Sequence, residues 1–286
     1  MCDEETVKDN EVYLSRRQVS IAGSAAVLMA TLPRAANAAE VIESDVTITT
    51  PDGTADAYFV HPSSGTHPGI LIWPDILGLR PAFRQMGKRL AESGYSVLVI
   101  NPYYREAKSP VVGEGASFQD EKTRNHVLPM ALALSAQTVI TDASAFVNFL
   151  DAQEAVDTSM KIGTTGYCMG GPFTMLTAAA LPDRVGAGAS FHGGRLVLDT
   201  PDSPHLLVPQ MKADFLFAIA ENDDEKQPEA KTVLREAFDN AGLNAEIEVY
   251  EGALHGWCPP DSRVYNELQA ERAWSRMLAL FEGALT

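Results

Sequence analysis

The chain of 286 residues is long enough for one large domain or two small ones, and its apolar content of 45% is ordinary for a globular protein. The body of the chain holds no run of about 18 apolar residues, so we expect no membrane span there. The formal net charge is −16, so the chain lacks the excess of basic residues that is typical of nucleic-acid-binding proteins, and we expect it to repel polyanions.

The N-terminus has the pattern of an export signal. Residues 15–19 read SRRQV, with a twin arginine, and lead into a mildly apolar stretch over residues 19–32. Residues 36–38 read ANA, the small-x-small pattern of a cleavage site. We therefore expect residues 1–38 to direct export through the twin-arginine pathway and residues 39–286 to act in the periplasm. A cytoplasmic chain with an uncleaved amphipathic N-terminal helix is the alternative.

Short apolar runs follow from residue 40 onward. A hairpin is predicted where residues 46–49 and 55–60 flank Pro51-Asp52-Gly53. Several continuous apolar runs have the character of strands buried on both faces. These runs are residues 69–73, 97–100, 161–165, 187–191 and 215–220. Residues 246–250 alternate in polarity, which places this strand nearer an edge of the sheet.

Helical patterns occupy the intervals between these strands. They cover residues 83–91, 129–150, 171–180, 229–241 and 264–280. The repeated strand–helix order predicts an α/β fold, a mostly parallel sheet flanked by helices on both faces, in one domain over residues 39–286. Residues 101–128 are too long for an ordinary connection, and we interpret them as a binding loop or lid.

Cys168 is the centre of the most informative motif. It stands in GYCMGG, residues 166–171, after a predicted strand and before a predicted helix. With Cys in place of Ser, this setting resembles the nucleophile elbow of α/β hydrolases. The start of the following helix would favour a thiolate, and the N–H of Met169 would hold an oxyanion. A small, buried structural cysteine is the alternative.

An acid and a histidine follow Cys168 in the chain order that a triad takes in this fold. Asp223 and Asp224 come just after a predicted strand, and we prefer Asp223 by position; a solvated acidic loop is the alternative. His255 follows the last predicted strand and is the predicted base. His192 also follows a strand and could line the pocket, although we favour a structural or loop role.

These motifs together resemble the dienelactone hydrolase family over roughly residues 42–284. The resemblance rests on Gly-Tyr-Cys-Met-Gly-Gly, on the acid after the penultimate strand, and on His-Gly-Trp near the end. It implies the α/β-hydrolase fold and a triad of Cys168, Asp223 and His255. The implied reaction is cleavage of an ester or lactone through an acyl-enzyme.

The resemblance also implies roles for residues around the thiol. Asp75 stands where the family usually has Glu and would help to produce the thiolate, with a plain loop cap as the alternative. The N–H of Ile76 would complete the oxyanion hole with that of Met169. Arg124 matches one of two arginines that bind a substrate carboxylate in the family. The second has no counterpart in register, although Arg263 is nearby.

We therefore predict a carboxylic ester hydrolase that requires no cofactor and no metal, because we find no metal-spaced His/Cys cluster and no phosphate-binding loop. A broader carboxylesterase or thioesterase, and a binding protein on a hydrolase scaffold, are the alternatives. Cys258 lies three residues after His255, which raises the hypothesis of a disulfide with Cys168 in an oxidising compartment. A free, half-buried thiol is the alternative there.

Overall fold

The computed structural model describes Lys8 and residues 38–286, so the expected export signal lies outside the described residues apart from Lys8 and Ala38. Eight strands form one sheet within the described part of the chain. The strands are β1 (Val41–Thr50), β2 (Gly53–Pro62), β3 (Gly69–Trp73), β4 (Ser96–Ile100), β5 (Ile162–Tyr167), β6 (Val185–Phe191), β7 (Asp214–Ala220) and β8 (Ala245–Tyr250).

The sheet is parallel except at one end. Its strand order is β1-β2-β4-β3-β5-β6-β7-β8. β1 pairs antiparallel with β2, and β2 pairs antiparallel with β4, whereas the other neighbours are parallel. The predicted hairpin is confirmed, since β1 and β2 are joined at residues 51–52. The strand β8 lies at the far edge, as its alternating sequence predicts.

Helices cover both faces of the sheet, which confirms the predicted layers. They are α1 (Pro81–Glu92), α2 (Glu121–Ala133), α3 (Ala136–Asp151), α4 (Gly171–Ala180), α5 (Glu221–Lys226), α6 (Ala230–Ala241) and α7 (Glu267–Ala284), with short 3-10 helices at Cys168–Gly170 and Pro204–Gln210. Phe146 of α3, Met175 of α4 and Phe238 of α6 are buried in one core cluster. Phe83 of α1 and Phe281 of α7 are buried in a second core cluster, which contains a different set of strand residues.

The predicted helical stretch over residues 129–150 is two helices. Ser135 interrupts it with a capping box, because its Oγ accepts a hydrogen bond from the N–H of Thr138 at 3.2 Å and its own N–H donates to Thr138 Oγ1 at 2.9 Å. The first helix, α2, already starts at Glu121 and contains Pro129. The predicted long connection therefore ends at residue 120 rather than 128.

Two other boundaries differ from the prediction. The acidic segment after β7 is the short helix α5, not a loop. The last helix starts at Glu267, three residues later than predicted, because the Asn266 side chain caps it by accepting a hydrogen bond from the N–H of Gln269. Among the described residues, no single helix is long and apolar enough to cross a membrane; α2 and α3 pass that test only together, bent by 83°.

The carboxyl ends of the parallel strands bring the predicted site residues to one edge of the sheet. Asp75 follows β3, Cys168 follows β5, Asp223 follows β7 and His255 follows β8. In open α/β sheets, ligands bind in the crevice at this edge. The topology therefore gathers residues that are far apart in the chain.

Candidate active site

The turn that carries Cys168 is tight and strained. Cys168 has a φ of +51°, a left-handed conformation that non-glycine residues rarely adopt. Only glycine fits on either side: a Cβ at Gly166 would lie 2.0 Å from the carbonyl oxygen of Gly170, and a Cβ at Gly170 would lie 2.3 Å from that of Trp73. The two glycines thus allow β5, the turn and the end of β3 to pack together with the thiol at the sheet edge.

Cys168, His255 and Asp223 form a connected row. The Sγ of Cys168 lies 3.1 Å from Nε2 of His255. The Nδ1 of the same ring lies 2.9 Å and 2.8 Å from the two carboxylate oxygens of Asp223. Cys168 and His255 are both buried, with relative exposures of 1% and 5%. This is the order of contacts in which an acid orients an imidazole that faces a nucleophile.

Asp223 and Cys168, the two neighbours of the His255 ring, favour its protonated form. Burial by itself would lower the pKa of the imidazole, but the negative charges of Asp223 and of the Cys168 thiolate outweigh it and raise the pKa of His255 to about 10. The arrangement therefore supports an imidazolium between a carboxylate and a thiolate. A thiolate is the nucleophilic form of cysteine.

Only one of the two adjacent acids of α5 contacts the histidine. Asp224 points to Lys231, whose Nζ donates to both of its oxygens at 2.6 Å. The neighbouring Asn222 supports the site from the other direction, because its Oδ1 accepts a hydrogen bond from the N–H of His255 at 2.8 Å. Asp223 is thus the carboxylate on the imidazole, and Asn222 fixes the backbone of the loop that carries it.

Asp75 lies in the same pocket, but Arg80 holds it. Nη1 and Nη2 of Arg80 donate to the two oxygens of Asp75 at 2.7 and 2.9 Å. Oδ1 of Asp75 also accepts a hydrogen bond from the N–H of Leu77 at 2.9 Å. Burial raises the pKa of the Asp75 carboxyl, and the contact with Arg80 opposes that shift. The loop after β3 is therefore pinned through its acidic side chain.

The other edge of the Arg80 guanidinium donates to Asp261, in the segment that follows His255. Nε donates to Oδ2 of Asp261 at 2.7 Å, and Nη2 donates to Oδ1 at 2.9 Å. Arg80 is 5% exposed. We name this buried arrangement of Asp75, Arg80 and Asp261 the arginine clamp. It joins the loop after β3 to the loop after β8.

Ile76 and Met169, the two predicted oxyanion donors, are held near each other by Tyr103. The Tyr103 hydroxyl donates to the carbonyl oxygen of Ile76 at 2.8 Å and lies 3.4 Å from the sulfur of Met169. Ile76 lines the pocket together with Cys168, and Met169 directly follows Cys168 in the turn. The segments whose N–H groups are the predicted donors therefore share one anchor.

A pocket of about 630 Å³, its open mouth included, lies in front of the thiol. Its wall is made by the loops after β3, β4 and β8. The lining residues are Asp75, Ile76, Leu77, Arg80, Ala116, Ser117, Phe118, Gln119, Cys168, His255, Gly256, Asp261, Ser262, Arg263 and Val264. The connection after β4 thus contributes a wall, as its length predicts.

The two arginines considered for substrate binding are placed differently from the expectation. Arg124 is not among the lining residues, and its Nη1 donates to the carbonyl oxygens of Phe118 and Gln119, each at 3.3 Å. Arg263, which is out of register with the family, does line the pocket. Its Nη2 donates to Asp120 at 2.9 Å. Substrate binding by Arg124 stays a prediction.

His192 lies behind the row of contacts rather than in the pocket wall. Its ring centroid is 5.1 Å from that of His255, at an interplanar angle of 67°. The ring is fully buried, and neither nitrogen has a hydrogen-bond partner among the described residues. Burial, reinforced by the charge of His255, lowers the pKa of His192 to about 3. His192 is therefore a neutral ring packed against the imidazolium.

Cys258 and Cys168 are not joined to each other in the structure, which does not form the hypothetical disulfide. Cys258 packs in a small cavity beside Tyr167, Phe191 and Trp274. Burial raises the pKa of its thiol, which keeps it protonated and unreactive. Within the described residues, no three or more His, Cys, Asp or Glu side chains are grouped so that they could hold a metal ion.

Sequence reasoning missed the residues that support the site. Arg80, Asp261, Tyr103 and Asn222 belong to no catalytic motif, and long-range packing alone shows what they contact. Asn222 could have been found, since it directly precedes the predicted acid Asp223. For Arg80 no signal pointed to its partner Asp261, which lies 181 positions away.

Comparison with known proteins places the chain among its relatives. The model of the dienelactone hydrolase family matches residues 55–285. The carboxymethylenebutenolidase of Rhodococcus opacus is 26% identical over 239 residues, which cover 82% of this chain and 89% of that protein.

Solved structures give the fold. A dienelactone hydrolase from Anabaena variabilis matches with a TM-score of 0.61 at 17% identity, over 86% of this chain and 99% of that chain. An acylaminoacyl peptidase from Pyrococcus horikoshii matches with a TM-score of 0.63 at 16% identity, over 86% of this chain and 42% of that chain. The fold is that of the α/β hydrolases, and the chain belongs to the dienelactone hydrolase family.

Proposed function

We propose that this member of the dienelactone hydrolase family, a carboxylic ester hydrolase, cleaves a small ester or lactone through an acyl-enzyme on Cys168. The row of contacts from Cys168 Sγ to His255 Nε2, at 3.1 Å, and from His255 Nδ1 to Asp223, at 2.8 Å, carries the proposal. A nucleophile, a base and an orienting acid in contact, at the end of a pocket, are the parts that acyl transfer requires.

In the first step the Cys168 thiolate attacks the carbonyl carbon of the substrate. The carbonyl oxygen becomes an oxyanion, which the N–H groups of Met169 and Ile76 stabilise. When the tetrahedral intermediate collapses, the C–O bond to the leaving group breaks and Nε2–H of His255 gives that oxygen its proton. The products are a thioester on Cys168 and an alcohol, or the opened hydroxy chain of a lactone.

In the second step His255 changes from acid to base. Acylation removes the negative charge of the thiolate, which is one of the charges that raise the pKa of His255. The pKa of the imidazole therefore falls in the acyl-enzyme, and the neutral ring can take a proton from water. The resulting hydroxide attacks the thioester, the C–S bond breaks, and the carboxylic acid leaves. Asp223 keeps the ring oriented in both steps.

Asp75 contributes to the same reaction through its position. Its contacts with Arg80 and with the N–H of Leu77 fix the loop that carries Ile76, at 2.7 to 2.9 Å. Because an oxyanion hole depends on pre-organised donors, this anchoring supports the transition state without a proton transfer. Direct activation of the thiol by Asp75, the role implied by the family resemblance, remains a second proposal for the same residue.

The test is hydrolysis of p-nitrophenyl acetate by the wild-type protein. We expect a burst of about one nitrophenolate per protein followed by slower turnover, and a loss of about 10³-fold or more in kcat/KM in Cys168→Ala. Cys258→Ala is the matched control, because that thiol is buried away from the pocket, and we expect it to retain activity. Equal turnover by wild type and Cys168→Ala would refute a cysteine nucleophile.

The same experiment separates the alternatives. A binding protein on this scaffold would show neither burst nor turnover with any activated ester. A thioesterase would show a higher kcat/KM for acyl thioesters than for oxygen esters with the same acyl group. The proposal expects the oxygen ester or lactone to be the better substrate.

A further inference from the structure

The charged groups around the pocket bear on which substrates this site accepts. We infer that the pocket accepts an uncharged acyl group and discriminates against a substrate that carries a carboxylate. The inference rests on the proposed function, since it concerns substrate that reaches Cys168. It differs from the expectation that an arginine pair binds a carboxylate in this pocket.

Arg80 is the more buried of the two arginines of the pocket wall, and its donors are all in use. A guanidinium has five N–H groups. Those of Arg80 meet the two oxygens of Asp75, the two oxygens of Asp261 and the carbonyl oxygen of Gly78, at 2.7 to 3.3 Å. A substrate carboxylate could gain a donor from Arg80 only by displacing one of these buried partners, and breaking a buried pair is costly.

Two aspartates share this one guanidinium, so the arginine clamp has no net positive charge to offer a substrate. Asp75 and Asp261 both line the pocket, and their side chains are 12% and 24% exposed. Water screens charges poorly at such depth. A carboxylate placed beside the clamp would lose water and gain no unpaired cation in return, which is costly, whereas an ester, an amide or an alkyl group carries no such charge.

Arg263 is the other arginine among the described lining residues, and it lies at the rim. Its side chain is 38% exposed, and Asp120 already pairs with it at 2.9 Å. Water screens such exposed pairs, and they contribute little free energy. With Asp120 included, the acids around the mouth outnumber the arginines. Asp223 and the Cys168 thiolate carry two negative charges against the one positive charge of His255, and the chain as a whole has a net charge of −16.

A matched pair of esters tests the inference. One is the mono-p-nitrophenyl ester of adipic acid, which ends in a carboxylate, and the other is its methylamide, which is neutral and similar in size. We expect kcat/KM to be about tenfold or more higher for the neutral ester at low salt, with the gap narrowing at high salt. Equal values, or a preference for the carboxylate, would overturn the inference and leave the proposed function standing.

Two variants identify the groups responsible. Asp261→Asn removes one negative charge and releases donors of Arg80, so the preference for the neutral ester should shrink several-fold. Arg263→Gln removes the rim cation, so the preference should stay or grow. If Arg263→Gln instead lowered kcat/KM for the carboxylate ester alone by about tenfold, Arg263 would be a carboxylate-binding residue and the inference would be wrong.

Alkylation of the thiol gives a readout that does not depend on turnover. Neutral iodoacetamide and anionic iodoacetate each form a C–S bond with a thiolate as their C–I bond breaks and iodide leaves. Mass spectrometry locates the alkylated Cys168. We expect the ratio of the rate constant of iodoacetamide to that of iodoacetate at Cys168 to exceed the same ratio for 2-mercaptoethanol by about fivefold or more. Asp261→Asn should reduce this ratio. If neither ester is cleaved, the proposed function fails, and this ratio alone decides the inference; a ratio no larger than that of 2-mercaptoethanol rejects it.

Discussion

Asp223 and Asp224 are adjacent acids with different partners. Asp223 contacts Nδ1 of His255 at 2.8 Å, whereas Asp224 pairs with Lys231 at 2.6 Å. Their order in the chain favoured Asp223 only by its position after the strand. The contact with His255 distinguishes them in the structure, because the direction of each side chain depends on the short helix α5, which the sequence did not indicate.

The pair of acids supplies a matched test of the orienting role. Asp223→Asn removes a charge that raises the pKa of His255 and weakens its hold on one tautomer, so we expect kcat/KM to fall by about 10²-fold or more. Asp224→Asn should stay within about twofold of wild type, because it breaks only a partly exposed ion pair. Steady-state kinetics with p-nitrophenyl acetate measures both; equal losses would argue against Asp223 as the orienting acid.

The element that positions Cys168 is the turn between β5 and α4. Its sequence was informative because the constraint is local: the glycines, the strand before them and the helix after them lie within one continuous segment. The arginine clamp is different, since Arg80 and Asp261 are separated by 181 positions and only the sheet topology brings them together. Motifs could therefore predict that Cys168, Asp223 and His255 lie together, but not which side chains hold their loops.

The turn makes a prediction about packing. In Gly170→Ala, a Cβ would lie 2.3 Å from the carbonyl oxygen of Trp73, so backbone must shift. We expect the free energy of unfolding to fall by about 3 kcal/mol or more, measured by urea denaturation. Gly283→Ala is the control, because nothing lies within 4 Å of that position in α7, and its stability should be unchanged or about 0.5 kcal/mol higher.

At the scale of the whole molecule, the sequence predicted the layers and most strands. Continuous apolar runs such as β3 are buried on both faces and were recognisable for that reason. The break between α2 and α3 was not predicted, because the apolar pattern continues across it while the capping box of Ser135 ends one helix and begins another. Membership of the family confirms the predicted hydrolase class.

Export of residues 39–286 is a proposal about the whole chain. If the twin arginine is a pathway signal, replacing both with lysine in Arg16→Lys/Arg17→Lys should leave the full-length protein in the cytoplasm of a bacterium that has this pathway. Arg34→Lys is the matched control, because it keeps the twin arginine, and it should be exported. Immunoblots of the periplasmic and cytoplasmic fractions give the answer; export of both variants would contradict the proposal.

The two imidazoles of His192 and His255, which meet edge to face, set opposite limits on the pH range in which the fold is most stable. His192 has a pKa of about 3 in the folded protein, below its ordinary 6.5. As pH falls from 6.5 to 3, His192 binds a proton in the unfolded chain but not in the folded protein, so the free energy of unfolding declines. His255 has a pKa of about 10, above the same 6.5. Cys168 is a thiolate in the folded pair, whereas the thiol of the unfolded chain keeps its proton up to about pH 8.5, so between pH 6.5 and 8.5 the pair holds equally many protons in both states. Between about pH 8.5 and 10 the folded protein keeps a proton on His255 that the unfolded chain has lost, so stability declines there.

Neighbouring rings 5.1 Å apart thus both lower the melting temperature away from neutral pH, His192 on the acid side and His255 on the alkaline side. Scanning calorimetry across pH should show a shallower acid slope in His192→Asn and a shallower alkaline slope in Cys168→Ala, which removes a charge that holds the proton on His255. Unchanged slopes in both variants would contradict this assignment. His192, which lies behind the pocket, would then help to set the lowest pH at which the enzyme stays folded.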